Sequence, residues 1–174
     1  RDTSLEKLAS LPGLVGKEGS HTAGNSPGVN DGAGALVLAS EEWAKRNRRT
    51  PIATILTHAQ VADEFAYLAR TPASAAKKAL EQAGLQVDDI ALWEINEAFA
   101  SVALNSMRTL GLDEDKVNVN GGAVALGHPI GASGARILGS LILELRRRGG
   151  GLGCAAICSG GGQGDAVIVE VNGS

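Results

Sequence analysis

A layered α/β domain is the fold class that this sequence predicts, and three observations carry the prediction. Strand-like and helix-like segments alternate along most of the 174 residues. The strand-like segments are short, apolar and rich in β-branched residues, as strands buried on both faces are. Glycines cluster where these segments end, at 121–122, 127/131/134, 149–151 and 160–162. The chain has 24 glycines, well above the ordinary share of ~7%. Tight turns and close backbone approaches are therefore expected at those junctions, where small-molecule sites are often built.

The elements follow from the periodicity. Residues 4–11 carry a short helical pattern, and 13–30 read as loop. The apolar run 33–39 is a candidate buried strand, followed by a charged helix over 41–49. Residues 51–61 alternate and are rich in Ile, Thr and Val, so they read as strand. Residues 63–71 have no regular period. Over 72–83, apolar residues at 73, 76, 80 and 83 lie opposite Lys77, Lys78 and Glu81; Pro72 opens this amphipathic helix and Gly84 closes it. Residues 90–95 are strand-like. Asn96 is placed to cap a helix that runs to Leu110 and ends at Gly111. A short strand at 117–120 and a loop at 121–129 lead to a long helix over 130–148. Its last residues, Arg146, Arg147 and Arg148, suit the negative end of a helix dipole. A strand at 154–158, a glycine loop at 159–164 and a closing strand at 166–171 complete the domain.

Composition narrows the function. Hydrophobic residues make up 44% and charged residues 20%, which is ordinary for a globular protein with one core. A net charge of −3 without a long run of one sign argues against a nucleic-acid surface. No apolar stretch reaches the ~18–20 residues that span a membrane. The three histidines and two cysteines show no metal-ligand spacing, so no metal is expected. Cys154 and Cys158 are separated by roughly 13 Å along a strand, too far for a disulfide. Free thiols point to a reducing, cytoplasmic compartment. With no secretory signal and no initiator methionine, the chain reads as a piece or processed product of a longer protein.

Three loops carry residues with chemistry. Asn96-Glu97-Ala98-Phe99 lies at a strand-to-helix junction, a usual place for a site in α/β folds. On spacing alone an N-cap is the stronger explanation of Asn96 and Glu97, and a capping Asn can also hold a water. The second loop, Gly127-His128-Pro129-Ile130-Gly131-Ala132-Ser133-Gly134, puts a histidine before a helix N-terminus. A positive helix end keeps the imidazole neutral, and a neutral imidazole can donate to an oxyanion. The alternative is a histidine packed in a loop with both nitrogens satisfied. The third loop is Cys158-Ser159-Gly160-Gly161-Gly162-Gln163-Gly164, in which a cysteine leaves a strand and enters a glycine turn. A buried thiol is the commoner fate of a free cysteine, and it is the reading given to Cys154. The glycine loop singles out Cys158, because backbone N–H groups there can face a ligand.

Together with Thr22-Ala23-Gly24-Asn25 and Asn30-Asp31-Gly32, these loops resemble those of the thiolases, the acetyl-CoA acetyltransferases and 3-ketoacyl-CoA thiolases, in the family's order and over nearly the whole chain. The resemblance implies a thiolase-like layered domain with a mixed, mostly parallel sheet covered by helices. It implies residues 1–30 as the end of a substrate-covering loop region and 31–174 as the C-terminal domain. It implies Cys158 as the acid/base that moves the α-proton, and His128 as the donor to the thioester enolate. Asn96 would hold a water beside it, and the Gly160 N–H would serve a second oxyanion hole. Ala98 and Phe99 would line the pantetheine and acyl end. Acyl-CoA and CoA are the implied substrates, with no covalently bound cofactor. The implied partners are the N-terminal half of the same protein and further copies in a homodimer or homotetramer. The cysteine that receives the acyl group in thiolases has no match here, so the isolated chain is expected to be inactive. Pro27 stands where the family often has a serine that meets CoA; Ser26 is the residue left to take that contact. A noncatalytic CoA-binding or assembly module with the same fold is the alternative.

Overall fold

The computed structural model describes residues 3–16 and 18–173; Arg1, Asp2, Lys17 and Ser174, which fall in the expected covering region, loop and C-terminal domain, lie outside them. In chain order the elements are α1 (Leu5–Ala9), α2 (Glu41–Arg46), β1 (Thr54–Ala62), a kinked 3-10 segment (Phe65–Arg70) and α3 (Thr71–Ala83). Then come β2 (Leu92–Ile95), α4 (Ala100–Leu110), α5 (Ala123–Leu126), α6 (Ser133–Arg147), β3 (Gly151–Ser159) and β4 (Gln163–Val171).

The four strands form one sheet in the order β1-β4-β3-β2, and helices cover both of its faces. On one face α3 and α4 pack against Trp93, Ile95, Cys154, Ala156, Ala166 and Ile168. Ala73, Ala75, Ala76 and Ala79 of α3 are fully buried, and their small side chains let the helix approach the strands closely. On the other face α6 lays Ile137, Leu141, Ile142 and Leu145 against Leu92, Ala155, Val169 and Val171. Gly153 of β3 has room only for hydrogen on that side, because a methyl group would meet Leu141 and Leu145.

The sheet is mixed as expected, but it is not mostly parallel. Only β2–β3 is a parallel ladder among the three; β3–β4 and β1–β4 are antiparallel. The turn at Gly160–Gly162 is too short for the crossover a parallel pair needs, so β3 and β4 must form a hairpin. Gly161 and Gly162 take φ of 84° and 76°, the left-handed conformations that glycine adopts without strain.

Other expectations are also corrected. Residues 33–39 form no strand: positions 31–40 are exposed and have neither helix nor strand pairing. An apolar run becomes a strand only where it pairs, and none of the described strands pairs with this one. The segment lies along the start of α6 instead, where a methyl on Gly34 would touch Ala135. Leu36, Val37 and Leu38 are left 41%, 97% and 73% exposed. Residues 117–120 form a single bridge, Val117 to Trp93, rather than a strand. The expected loop 121–129 contains the one-turn α5, and the long helix begins at Ser133 rather than 130.

Candidate active site

The site gathers where β2 and β3 end, at the carboxyl side of the parallel pair, as ligand sites in open α/β sheets do. Ile95 lies beside Ala156 in that ladder, and the Asn96 N–H continues it by donating to Ala156 O at 2.9 Å. Asn96 is fully buried and does not cap α4. The helix starts three residues later than capping would require, because Phe99, at its N-cap, is extended (φ −150°, ψ 155°). With the cap reading removed, the Asn96 amide is free for the site. Its Nδ2 lies 3.4 Å from His128 Nε2, and its Oδ1 has no hydrogen-bond partner among the described residues.

His128 is held from two sides. Its backbone N–H donates to Asn30 Oδ1 at 3.1 Å, and its Nδ1 lies 2.6 Å from Ser133 Oγ. Gly127 before it takes φ 105°, and any side chain there would strike the Asn30 amide. Burial, and then the Arg136 guanidinium, push the imidazole pKa down. The ring is therefore neutral, as the sequence suggested, but the cause differs. The α6 N-terminus lies five residues on, and desolvation with a nearby cation replaces the helix dipole as the reason.

Cys158 is next to last in β3, paired with Gly164 across the hairpin, two residues beyond the Ala156 that anchors Asn96. It sits one strand away from the Asn96–His128 pair, at the same end of the sheet. A lowered thiol pKa would suit acid/base work, but burial pushes it up, since no positive group offsets the loss of water. Cys158 thus rests as a protonated thiol. Gly160 begins the turn with open space around it. Asp63 N–H donates to Gly162 O at 2.8 Å and Thr71 Oγ to Gln163 O at 2.7 Å, which pins that turn to the 62–71 segment. Cys154 is fully buried and its thiol is pushed up to about 12, in keeping with the packed role expected of it.

The segment before residue 31 crosses this end of the molecule. Ala100 N–H donates to Asn25 O at 2.9 Å, Val29 bridges His128, and the His21 ring lies 4.2 Å from that of Phe99. Ala98 and Phe99 are half-buried beneath it. Ser26 is buried, and its hydroxyl lies 3.3 Å from Asn25 Oδ1, turned inward.

Several supporting residues escaped sequence reading. Asn118, at φ 47°, uses its amide as a short strand: Oδ1 accepts from Ile95 N–H at 2.8 Å and Nδ2 donates to Ile95 O at 2.9 Å. That same Nδ2 donates to Glu97 Oε1, and Glu97 Oε2 accepts from Val124 N–H, each at 2.9 Å. Glu97 therefore joins the end of β2 to the start of α5, which leads into His128. Its signal was the unusual pairing of Asn118 and Glu97 with a glycine pair, legible only once the contact is known.

Behind this clamp Glu94 is 3% exposed, and its Oε2, like the buried Nε and Nη2 of Arg136, has no hydrogen-bond partner among the described residues. Burial raises the Glu94 pKa from 4.5 to about 7, against the pull of Arg136. Between those two pH values the unfolded chain gives up a proton that the folded chain keeps. Stability therefore falls as pH rises from 4.5 through 7, and stays reduced above. Glu94→Gln is expected to recover about 1–3 kcal/mol at pH 8 and close to nothing at pH 4. Urea denaturation at both pH values checks this; an equal change at both would reject the assignment.

Comparisons with known proteins show the family of the chain as a whole. The model of the thiolase C-terminal domain matches residues 49–171, and that of the thiolase N-terminal domain matches 1–42. This chain belongs to the thiolase family. It is 48% identical over 168 residues to the human mitochondrial 3-ketoacyl-CoA thiolase, covering 97% of this chain and 42% of that one. It is 48% identical over 169 residues to an acetyl-CoA acetyltransferase of Chromobacterium violaceum, covering 97% of this chain and 43% of the relative. Among solved thiolase structures, the Bacillus anthracis acetyl-CoA acetyltransferase superimposes with a TM-score of 0.93 at 48% identity, covering 98% of this chain and 43% of that one. The human mitochondrial 3-ketoacyl-CoA thiolase in complex with CoA gives 0.93 at 47%, with the same coverage. The chain thus spans about two fifths of the length of these thiolases. The N-terminal match ends at residue 42, within α2, and the C-terminal match begins at residue 49, so the exposed 31–40 segment falls within the N-terminal match. Among the described residues no helix is long and apolar enough to cross a membrane.

Proposed function

We propose that this chain is the C-terminal catalytic part of a longer thiolase, which cleaves 3-ketoacyl-CoA with CoA or condenses two acetyl-CoA by Claisen chemistry. The observation that carries the proposal is the contact of Asn96 with a neutral His128 at the sheet end where Cys158 also sits. Proton removal beside a thioester is limited by the charge that develops on its oxygen. Preorganised donors in a dry site are worth ~3–4 kcal/mol each against that charge. His128 Nε2 supplies one donor, and Asn96 Oδ1, a buried acceptor without a partner among the described residues, fits the holding of a water as another. Cys158 moves the α-proton, and the N–H of the exposed Gly160 serves the second oxyanion. Ala98 and Phe99 line the acyl end. Ser26, whose hydroxyl hydrogen goes to Asn25, is left to meet CoA as an acceptor.

The acyl-accepting cysteine is supplied from outside these residues, since Cys154 is sealed in the core. The natural partner is therefore the rest of the same protein. Residues 1–30 act as the cover. The exposed 31–40 run, with the apolar groove of Leu36, Leu138, Ile157 and Val167 beside it, suits packing against that remainder. Residues 49–171 form the C-terminal domain proper. Assembly is as a homodimer or homotetramer, in a reducing compartment that keeps both thiols free.

Acetoacetyl-CoA cleavage by the whole protein and by these 174 residues alone tests the proposal. Turnover by the whole protein and none by the chain alone is expected. An inactive whole protein that still binds CoA would favour the noncatalytic module, and turnover by the chain alone would refute an external nucleophile.

A further inference from the structure

A neutral imidazole has one ring hydrogen, so what His128 Nε2 can do depends on what Nδ1 is given. Nδ1 lies 2.6 Å from Ser133 Oγ, whereas the Nε2 contact with Asn96 is 3.4 Å. Ser133 therefore governs the ring. It is fully buried, and its Oγ also lies 3.0 Å from Pro129 O. The hydroxyl has one hydrogen and two acceptors in reach. Turned to Pro129 O, it leaves Oγ to accept from Nδ1–H, and Nε2 then carries no hydrogen and cannot donate to an oxyanion. Turned to Nδ1, it makes that nitrogen the acceptor and puts the hydrogen on Nε2.

Two further contacts decide between these rotamers. Pro129 O already accepts from the N–H groups of Ala132 and Ser133, each at 2.9 Å. Both lone pairs of the carbonyl are in use, so it gains little from a third donor. Nδ1 has Ser133 as its hydrogen-bond partner. The Asn96 Nδ2 contact at 3.4 Å is too long to hold Nε2 as an acceptor against the 2.6 Å contact of Ser133 with Nδ1.

We propose that the Ser133 hydroxyl donates to His128 Nδ1 and thereby fixes the Nε2–H tautomer, making Ser133 the positioning residue for the oxyanion donor. The kinetic part rests on the function proposed above; the tautomer itself does not.

Long-range 1H–15N spectra of the whole protein labelled at histidine report the tautomer directly, with His128→Gln identifying the signal. The wild type is expected to show Nε2–H. Ser133→Ala is expected to shift His128 toward a mixture or to Nδ1–H. It should also lower kcat about tenfold or more, as a wrongly held tautomer does in other enzymes, with KM within threefold. Ser133→Thr, which keeps the hydroxyl, should retain the wild-type signal. An Nδ1–H signal in the wild type overturns the proposal without any variant having to fold. So does an unchanged Nε2–H signal in folded Ser133→Ala, even if kcat has dropped. A correct tautomer in a protein that turns over no thioester would leave this inference standing and remove only the catalytic reading.

Discussion

Replacing Cys158 with alanine is expected to lower 3-ketoacyl-CoA cleavage by the whole protein about 100- to 10,000-fold, the range for loss of a positioned acid/base. KM should change no more than a few fold, because the thiol acts on the moving proton rather than on the bulk of the substrate. Burial sharpens the prediction. A thiol pushed above its ordinary value is a protonated acid at neutral pH, ready to give a proton to the α-carbon in cleavage. In condensation it must first lose that proton, so the condensation rate should climb with pH until the thiol titrates. Cys158→Ser is expected to do no better than alanine, since a hydroxyl neither gives nor takes a proton readily in this range. Cys154→Ala is the control. That side chain is fully buried in the core, so its loss should lower the denaturation midpoint and leave kcat near wild type. Steady-state rates in both directions decide the matter. A Cys158→Ala protein with wild-type kcat would remove the acid/base assignment.

The parts of the fold that the sequence made readable are those whose signal is local. α3 has Pro72 near its start, Gly84 in the left-handed conformation at its end and an unbroken apolar face, and it lies within one residue of its predicted span. β2 and α6 were legible for the same reason. The run 33–39 was not, because periodicity reports which side chains want burial and not whether a partner strand is at hand. Asn96 was misread as a cap because asparagine is equally at home in both roles. What separates them is the extended turn at Phe99, which no composition rule anticipates. In the site, His128 and Cys158 stood out by their glycine settings, and the Asn96 loop by its place at a strand-to-helix junction. Ser133, Asn118 and Asn30 did not, because their importance lies in what they touch. The Asn30–His128 contact spans 98 residues of chain and leaves no trace in either neighbourhood.

Gly122→Ala is expected to destabilise the protein by about 2–4 kcal/mol and to lower kcat with it, although Gly122 has an ordinary φ of −103°. The difficulty is contact: a methyl at this position lands on the Glu97 carboxyl. That carboxylate cannot yield without cost. It accepts from Asn118 Nδ2 and from Val124 N–H, each at 2.9 Å, and bonds to a charged group are worth about 1.5–3 kcal/mol. Once Glu97 moves, Asn118 loses one of the contacts that hold it at φ 47°, and α5 loses its link to β2. The disturbance then reaches Gly127 and His128, which follow α5 directly. A double-mutant cycle isolates the cause. If the clash with Glu97 is the whole effect, Gly122→Ala on a Glu97→Ala background costs almost nothing, because the obstructing carboxylate is gone. If the methyl costs the same in both backgrounds, the glycine serves another purpose, and the route from Glu97 through α5 to the imidazole is wrong.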